Sequence, residues 1–360
     1  MPFVLSTIAA RTALGKAKLE CQSRPGRISM NDDGWAALLP PLLQSAGLPH
    51  EGFSVEPLTG GVSSDIVRIV LADGRLACAK RALRKLKVAT DWQAPLERNH
   101  YEIAWLRRAA AIVPGAAPKV LGEDPVRGIA LLEYLPPADY SLWKADLLAG
   151  HADPQVAVRV ADTIGRIHAA TLRDAAVAAE FPTDHLIDAL RYDPYLRFLA
   201  GRHADLSASI LSTLERSFRS KLALVHGDVS PKNILVRTAD GQPVLLDAEC
   251  AWYGDPAFDA AFCLNHLLLK SIHLPDIAPE LRQQARDFAD TWLSHFPADL
   301  RAMLDDRAAA LLPCLMLARV DGKSPVEYLS SDSRETVRRI SIPMIAKPFT
   351  RLAQVIDSVH

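Results

Sequence analysis

Between residues 53 and 80 the chain alternates apolar and polar positions, and over most of its remaining length apolar residues recur at helical spacing. The first region reads as three strands: "FSVEPL", then "DIVRIVLA" after Gly60-Gly61, then "RLACAK" after the hairpin signal Asp73-Gly74. Together they predict an antiparallel meander. "APLERNHYEIAWLRRAAAI" predicts a helix that buries Leu96, Ile103, Leu106 and Ala110, followed by "APKVLGED", a turn at "DPVRG", and the apolar strand "IALLEYL" that stops before Pro136-Pro137.

Beyond those prolines the pattern turns helical. "PQVAVRVADTIGRIHAAT" sets Val156, Val160, Ile164 and Ile167 on one face, and "DHLIDALRYDPYLRFLAG" and "LSASILSTLERSFRSKLA" repeat the pattern. A hairpin interrupts at "NILVRTADGQPVLLDAE", after which helices resume to the end. The expected fold class is α+β and bilobal, a small antiparallel β-rich lobe (31–135) and a larger, mainly helical lobe (136–360) preceded by an extension (1–30). The extension carries Arg11, Lys16 and Lys18 but lacks the basic start and cleavage site of a targeting peptide. Met30 is an alternative start, with Asn31 or Asp32 as the cap of a first helix.

Composition narrows the function classes. The 360 residues are 49% hydrophobic and 23% charged, with 41 basic against 42 acidic side chains, which excludes disorder and a global nucleic-acid footprint. Five scattered cysteines without a CxxC pair argue against a disulfide framework, so a reducing, cytoplasmic setting is expected. The longest apolar run, around "AAALLPCLMLA", contains Pro313 and is shorter than the roughly 18 to 20 residues a membrane span needs, so no membrane partner is expected.

The chemistry concentrates in "VHGDVSPKNILV". Asp228 and Asn233 stand five residues apart beside a run of aliphatics, where buried polar groups need partners. After the turn "TADGQ", the strand "VLLDAE" ends at Asp247, 14 residues beyond Asn233, so two short antiparallel strands deliver all three groups to one end of a hairpin. One carboxylate can accept a proton from an attacking hydroxyl while the other, with the amide, holds a divalent cation.

These residues resemble the aminoglycoside phosphotransferase and choline kinase group of the protein-kinase-like superfamily. "HGDVSPKN" is similar to its H-G-D-x-x-x-x-N catalytic loop, and "LLDAECAWYGDPAFDAA" to its metal-binding Asp segment followed by G-D-P-x-x-D. The resemblance implies a protein-kinase-like fold in which Asp228 orients and deprotonates the acceptor hydroxyl, and Asn233 and Asp247 bind Mg²⁺ on the phosphates of ATP. His226, beside Gly227, is expected to brace the loop rather than act as a base.

In the small lobe, "PLTGGVSSDIV" is similar to the G-G-x-S-x-D phosphate loops of these enzymes, with Gly60 and Gly61 allowing close backbone approach and Ser63 and Ser64 offering donors. Strand alternation aligns Lys80 inward with Cys78 and Leu76, where it would meet the phosphates; Glu102 is its expected partner, with Glu97 the alternative. Glu133, Tyr134 and Leu135 form the expected hinge against adenine.

The chain has neither HRD nor APE, and reads Asp247-Ala248-Glu249 in place of DFG, so a small hydroxylated molecule is the expected acceptor rather than a protein. The D-x-E of Asp247 and Glu249, "ALRYDPYLRF" and the pair Arg338-Arg339 are similar to features of methylthioribose kinases, although Asn233 follows the broader group. A sugar or sugar-like acceptor is expected, with Glu249, Trp252, Arg338 and Arg339 as candidate substrate residues; Trp252 and Tyr253 could stack on a sugar ring. An aminoglycoside or choline-type acceptor is the alternative. Residues 331–360 carry five Lys or Arg against three Asp or Glu, a poor match to a polycationic antibiotic. A non-catalytic pseudokinase would lack Lys80, Asp228 or Asp247, and a metal-dependent hydrolase would show HxH or HExxH; neither pattern occurs.

Overall fold

The computed structural model describes residues 34–58, 63–84 and 95–360. The expectations for the extension 1–30, for a start at Met30, for a cap at Asn31 or Asp32, and for Gly60 and Gly61 lie outside the described residues.

Helix α1 (Trp35–Ser45) precedes strands β1 (Ser54–Leu58), β2 (Ser64–Val70) and β3 (Leu76–Ala82). Helix α2 (Arg98–Ile112) follows, then β4 (Val120–Asp124) and β5 (Ile129–Glu133). The five strands form one sheet in the order β1-β2-β3-β5-β4, every pair antiparallel. Its alternating side chains serve two cores. Ala77, Ala79, Ile129 and Leu131 pack against Trp35, Leu39, Leu42 and Leu43 of α1, while Ala130 and Leu132 face the other way, into the large core with Ile103, Trp105 and Leu106 of α2. Helix α2 therefore packs on the face of the sheet opposite α1 and joins that face to α4 and the large core.

Two details differ from the periodicity reading. α2 begins at Arg98, so Leu96 precedes it half-buried, and the buried stripe runs through Glu102, Ile103, Leu106 and Ala109 while Ala110 is half-buried. Leu76, expected inward, is 40% exposed at the open end of β3.

The second region starts with β6 (Tyr140–Leu142), α3 (Trp143–Leu148) and α4 (Pro154–Ala170), whose Val156, Val160, Ile164 and Ile167 are all buried. Asp153 caps α4 by accepting from Gln155 N–H, and Pro154 occupies its first position. After α5 (Ala175–Glu180) and α6 (Asp184–Ile187), residues 188–197 continue as wide π-type turns containing Pro194 before α7 (Phe198–Arg202) and α8 (Ser207–Phe218).

Strand β7 (Ala223–Val225) leads into the segment 226–233, and β8 (Ile234–Arg237) and β9 (Pro243–Leu245) form the expected hairpin. β6 extends that hairpin, and β10 (Trp252–Gly254) pairs with β7. Helices α9 (Pro256–His273), α10 (Ala278–Ser294), α11 (Ala298–Asp321), α12 (Ser331–Ala346) and α13 (Leu352–Asp357) complete the helical body. Among the described residues no helix is long and apolar enough to cross a membrane.

Candidate active site

The loop after β7 is held from behind by one carboxylate. Asp259 on α9 accepts from the N–H groups of both His226 and Gly227, at 2.8 Å each, and contacts His168 Nε2 at 3.1 Å. Gly227 has φ 78°, and a Cβ there would stand 2.5 Å from the Cys250 carbonyl, so no side chain fits. His226 donates from Nε2 to Leu246 O (3.1 Å) and accepts at Nδ1 from Asp228 N–H (3.1 Å). Burial pushes its pKa down, so the imidazole is a neutral brace between the two segments of the site.

Asp228 is fixed by cations. Its Oδ2 lies 2.7 Å from Arg191 Nη2 and 3.1 Å from Lys232 Nζ, and its Oδ1 accepts from Ser230 Oγ at 3.2 Å. Burial raises the carboxyl pKa, but Arg191 and Lys232 outweigh burial and hold it below the usual range. Arg191 comes from the π-type turns and is itself immobilised, donating from Nε to Gly227 O (2.8 Å) and from Nη1 to Leu190 O (2.7 Å).

The hairpin brings the second carboxylate alongside. Ile234 pairs with Leu245, and Leu246 N–H donates to Asn233 O (2.8 Å), which sets Asp247 next to Asn233. Asn233 Nδ2 donates to Asp228 O at 3.2 Å. Asp247 occupies the left-handed region at φ 65°, a conformation that costs a non-glycine residue about 1 kcal/mol or more. Its Oδ1 is hydrogen-bonded to Lys80 Nζ across the two regions of the molecule.

Lys80 is 6% exposed and donates to Glu102 Oε1 and Oε2 at 2.7 and 2.8 Å. Glu102 is thus its partner. Glu97 instead meets His185 Nε2 at 2.6 Å. Burial lowers the lysine pKa, yet Asp247 and Glu102 outweigh it and keep the amine charged. Burial likewise pushes Glu102 up to about 7, against the pull of Lys80.

Arg98, 1% exposed, ties the flanks of the small lobe to the Asp segment: Nε donates to Glu249 Oε2 (2.9 Å) and Nη2 to the carbonyls of Ser63 (2.8 Å) and Leu83 (2.7 Å). Ser63 and Ser64 are buried.

Several sequence expectations are corrected by contacts. Trp252 cannot stack on a substrate: it is fully buried, its indole N–H donates to Asp184, and its ring stacks on Phe218. Tyr253 is also buried, with its hydroxyl donating to Leu222 O at 3.0 Å. Arg338 spends its guanidinium on Asp321 (Nη2 at 2.7 Å) and Glu335 (Nη1 at 3.2 Å). Arg339 is exposed and lines a cavity of about 460 Å³ among the C-terminal helices with Pro343, Met344, Phe349 and His360. Glu249 is engaged by Arg98, as above. Glu133, expected at a hinge, donates its N–H to Lys119 O (2.8 Å), and Tyr134 and Leu135 lie beyond the end of β5.

Arg191, Lys232, Arg98 and Asp259 went unassigned in the sequence. Lys232 and Asp259 lie inside the motifs "HGDVSPKN" and "GDPAFD", which is a signal that could have found them; nothing local pairs Arg191 or Arg98 with its distant carboxylate.

One amide and one carboxylate, Asn233 and Asp247, are a fitting donor set for Mg²⁺, which keeps waters and phosphate oxygens in its remaining positions. Among the described residues no group of three or more His, Cys, Asp or Glu forms an all-protein metal cage.

Comparison with known proteins adds three findings. The family described as "APH: Phosphotransferase enzyme family" matches residues 54–294. A methylthioribose kinase of Yersinia enterocolitica is 30% identical over 225 residues, 55% of this chain and 55% of that protein, and one of Yersinia pseudotuberculosis is 28% identical over 261 residues, 64% and 63%. The match thus spans between about half and two thirds of these relatives' lengths. In fold the chain is similar to an ethanolamine kinase of Plasmodium vivax (TM-score 0.52, 14% identity, 82% of this chain and 84% of that one). It is equally similar to an amicoumacin kinase in complex with AMP-PNP, Ca²⁺ and Ami (TM-score 0.53, 14% identity, 84% and 91%). The architecture is the α+β, bilobal, kinase-like fold.

Proposed function

The chain belongs to the APH phosphotransferase enzyme family, and from that premise we propose that it transfers the γ-phosphate of ATP to a hydroxyl of a small, sugar-like acceptor. The observation that carries this reading is the pair of carboxylates at one hairpin end, Asp228 held by Arg191 and Lys232 and Asp247 by Lys80. The sugar-like acceptor is supported by the methylthioribose kinase relatives.

Asp228 is proposed to orient the acceptor hydroxyl and to take its proton as the new O–P bond forms. A carboxylate held ionised by Arg191 and Lys232 is a weak base, which suits a loose transition state in which the proton leaves late. Lys80, charged and preset by Glu102, is proposed to meet the phosphates, and Tyr134 and Leu135 the base. A divalent cation, taken as Mg²⁺ and held by Asn233 and Asp247, would neutralise charge on the phosphate oxygens. Domain limits of 31–135 and 136–360 are proposed with this division of labour, with α2 assigned to the first by its Glu102 and by its packing on β3, β4 and β5.

The test is release of ADP from Mg·ATP across a library of hydroxylated acceptors. Turnover that requires an acceptor and falls on the order of a hundredfold or more in Asp228→Asn supports the reading. Acceptor-independent turnover, or unchanged turnover in Asp228→Asn, contradicts it.

A further inference from the structure

One stripe of α9 runs away from the catalytic loop: Asp259 braces the loop, Phe262 lies under the Arg191 guanidinium at 5.7 Å, and His266 and Lys270 continue the same face one and two turns on. The stripe ends in an unusual place for a lysine. Lys270 is 1% exposed, its nearest acceptor is the His266 carbonyl at 3.5 Å, and no carboxylate among the described residues is within ion-pair distance.

Two further donors beside it lack partners. The Tyr328 hydroxyl is buried without a hydrogen bond, with its ring centroid 5.1 Å from Lys270 Nζ. Arg319 Nε is buried without a hydrogen bond, while Nη1 of the same guanidinium bonds Tyr195 Oη and Ser324 Oγ, both at 3.0 Å. Tyr195 in turn packs on Arg191, the partner of Asp228, so Arg319 is linked to Asp228 through Tyr195 and Arg191. Buried donors without acceptors cost free energy unless a ligand or water supplies the acceptor. Three donors, two of them cationic, select for negative charge.

We propose that Lys270, Arg319 and Tyr328 form an oxyanion subsite on the acceptor side of the cleft, so that the acceptor carries a carboxylate or phosphate group besides the hydroxyl that is phosphorylated. The subsite rests on the phosphotransferase reading for its purpose, though not for its binding chemistry. It disfavours aminoglycosides and choline-type amines, which would bring positive charge against these cations.

Of the three subsite donors, Lys270 is the one that titrates near neutrality. Burial, then Lys144 and Arg319, lower the Lys270 pKa to about 7, with Cys263 and Glu327 opposing them. Burial pushes His266 well down and pushes Tyr328 and Cys263 up, so these three stay neutral. Lys144 is paired with Glu327. An arriving anion therefore draws a proton onto Lys270, and its affinity falls as pH rises above about 7.

The test is calorimetric titration of the full chain with D-gluconate, D-glycerate, ribose 5-phosphate and glycerol 3-phosphate against glucose, ribose and glycerol, at pH 6 and pH 8. At least one anion is expected to bind roughly tenfold or more tighter than its neutral counterpart, with proton uptake approaching one per anion at pH 8 and little at pH 6. Lys270→Met, a neutral side chain of similar length suited to burial, should abolish the uptake and weaken anion binding about 10- to 100-fold, and Tyr328→Phe should weaken it less. The carboxylate and phosphate arms identify which oxyanion is accepted. Equal affinity for charged and neutral compounds, no binding by any of the four anions, or anion binding untouched in Lys270→Met overturns the subsite and leaves the donors to ordered water. ADP release is followed in parallel: proton-linked anion binding without any acceptor-dependent turnover keeps the subsite and refutes the phosphotransferase reading, while turnover of neutral acceptors alone does the reverse.

Discussion

The open end of the β8–β9 hairpin holds the same functional group at two positions in opposite circumstances. At the first, Asp228 is 3% exposed at its side chain, lies on a loop braced by Asp259, and has both oxygens engaged by Arg191, Lys232 and Ser230. At the second, Asp247 is 26% exposed, sits on a strained left-handed backbone, and bonds a single cation that comes from β3 of the other lobe. A carboxylate with every partner fixed is suited to orienting a neutral hydroxyl. One with a single partner across the cleft is suited to exchanging it for a metal ion, and its strained backbone is the kind of local cost that persists where a site requires it.

The largest expected effect breaks the comparison outright. Asp247→Ala should reduce turnover below detection because the charge on the phosphate oxygens loses its counterion, whereas Asp228→Asn should retain a residue of activity, down on the order of a hundredfold or more. Steady-state kinetics with any accepted substrate check this; equal residual activity in the two variants would erase the distinction.

A smaller effect sharpens it. Arg191→Met leaves Asp228 buried with Lys232 as its one remaining cation, and should destabilise the protein by about 3 kcal/mol at pH 7, the low end for breaking a buried pair. Asp228 has a depressed pKa in the folded protein, so its contribution to stability is present above the unfolded value near 3.9 and is lost as pH falls through the folded one. Removing Arg191 removes that contribution, and the gap between variant and wild type should narrow as pH falls and Asp228 is protonated. Urea unfolding at pH 7 and pH 3 measures both, and a gap that widens toward acid would be contrary.

The smallest effect is expected at the C-terminal arginines. Arg338 is a half-exposed partner of Asp321 and Glu335, so Arg338→Ala should cost about 1 kcal/mol or less and leave kcat/KM unchanged, and Arg339→Ala should be silent in both. A selective loss of kcat/KM in either would return the tail to the acceptor site.

What could be read from the sequence follows from range. The β1–β3 meander and the α4 stripe were legible because a two- or 3.6-residue period is a local signal, and the hairpin that brings Asn233 and Asp247 together was legible from its turn residues. Lys80 was assigned to the correct face by alternation alone, although Leu76 broke the pattern at the strand end, where the sheet stops covering it. The Arg191 contact was not legible, because it depends on π-type turns around Pro194 that no periodicity announces and on a partner 37 positions away. Trp252 misled for a related reason: three-residue strands such as β7 and β10 are too short to show a pattern, and it is their pairing that buries the indole.

The division between an orienting and a metal-holding carboxylate is tested most directly by Mg²⁺-dependent binding of AMP-PNP to Asp228→Asn and Asp247→Asn, measured side by side by calorimetry. The expected result is affinity within a few fold of wild type for Asp228→Asn and loss of the Mg²⁺-dependent component for Asp247→Asn. Unchanged metal-dependent binding in Asp247→Asn, or its loss in Asp228→Asn alone, would contradict the assignment.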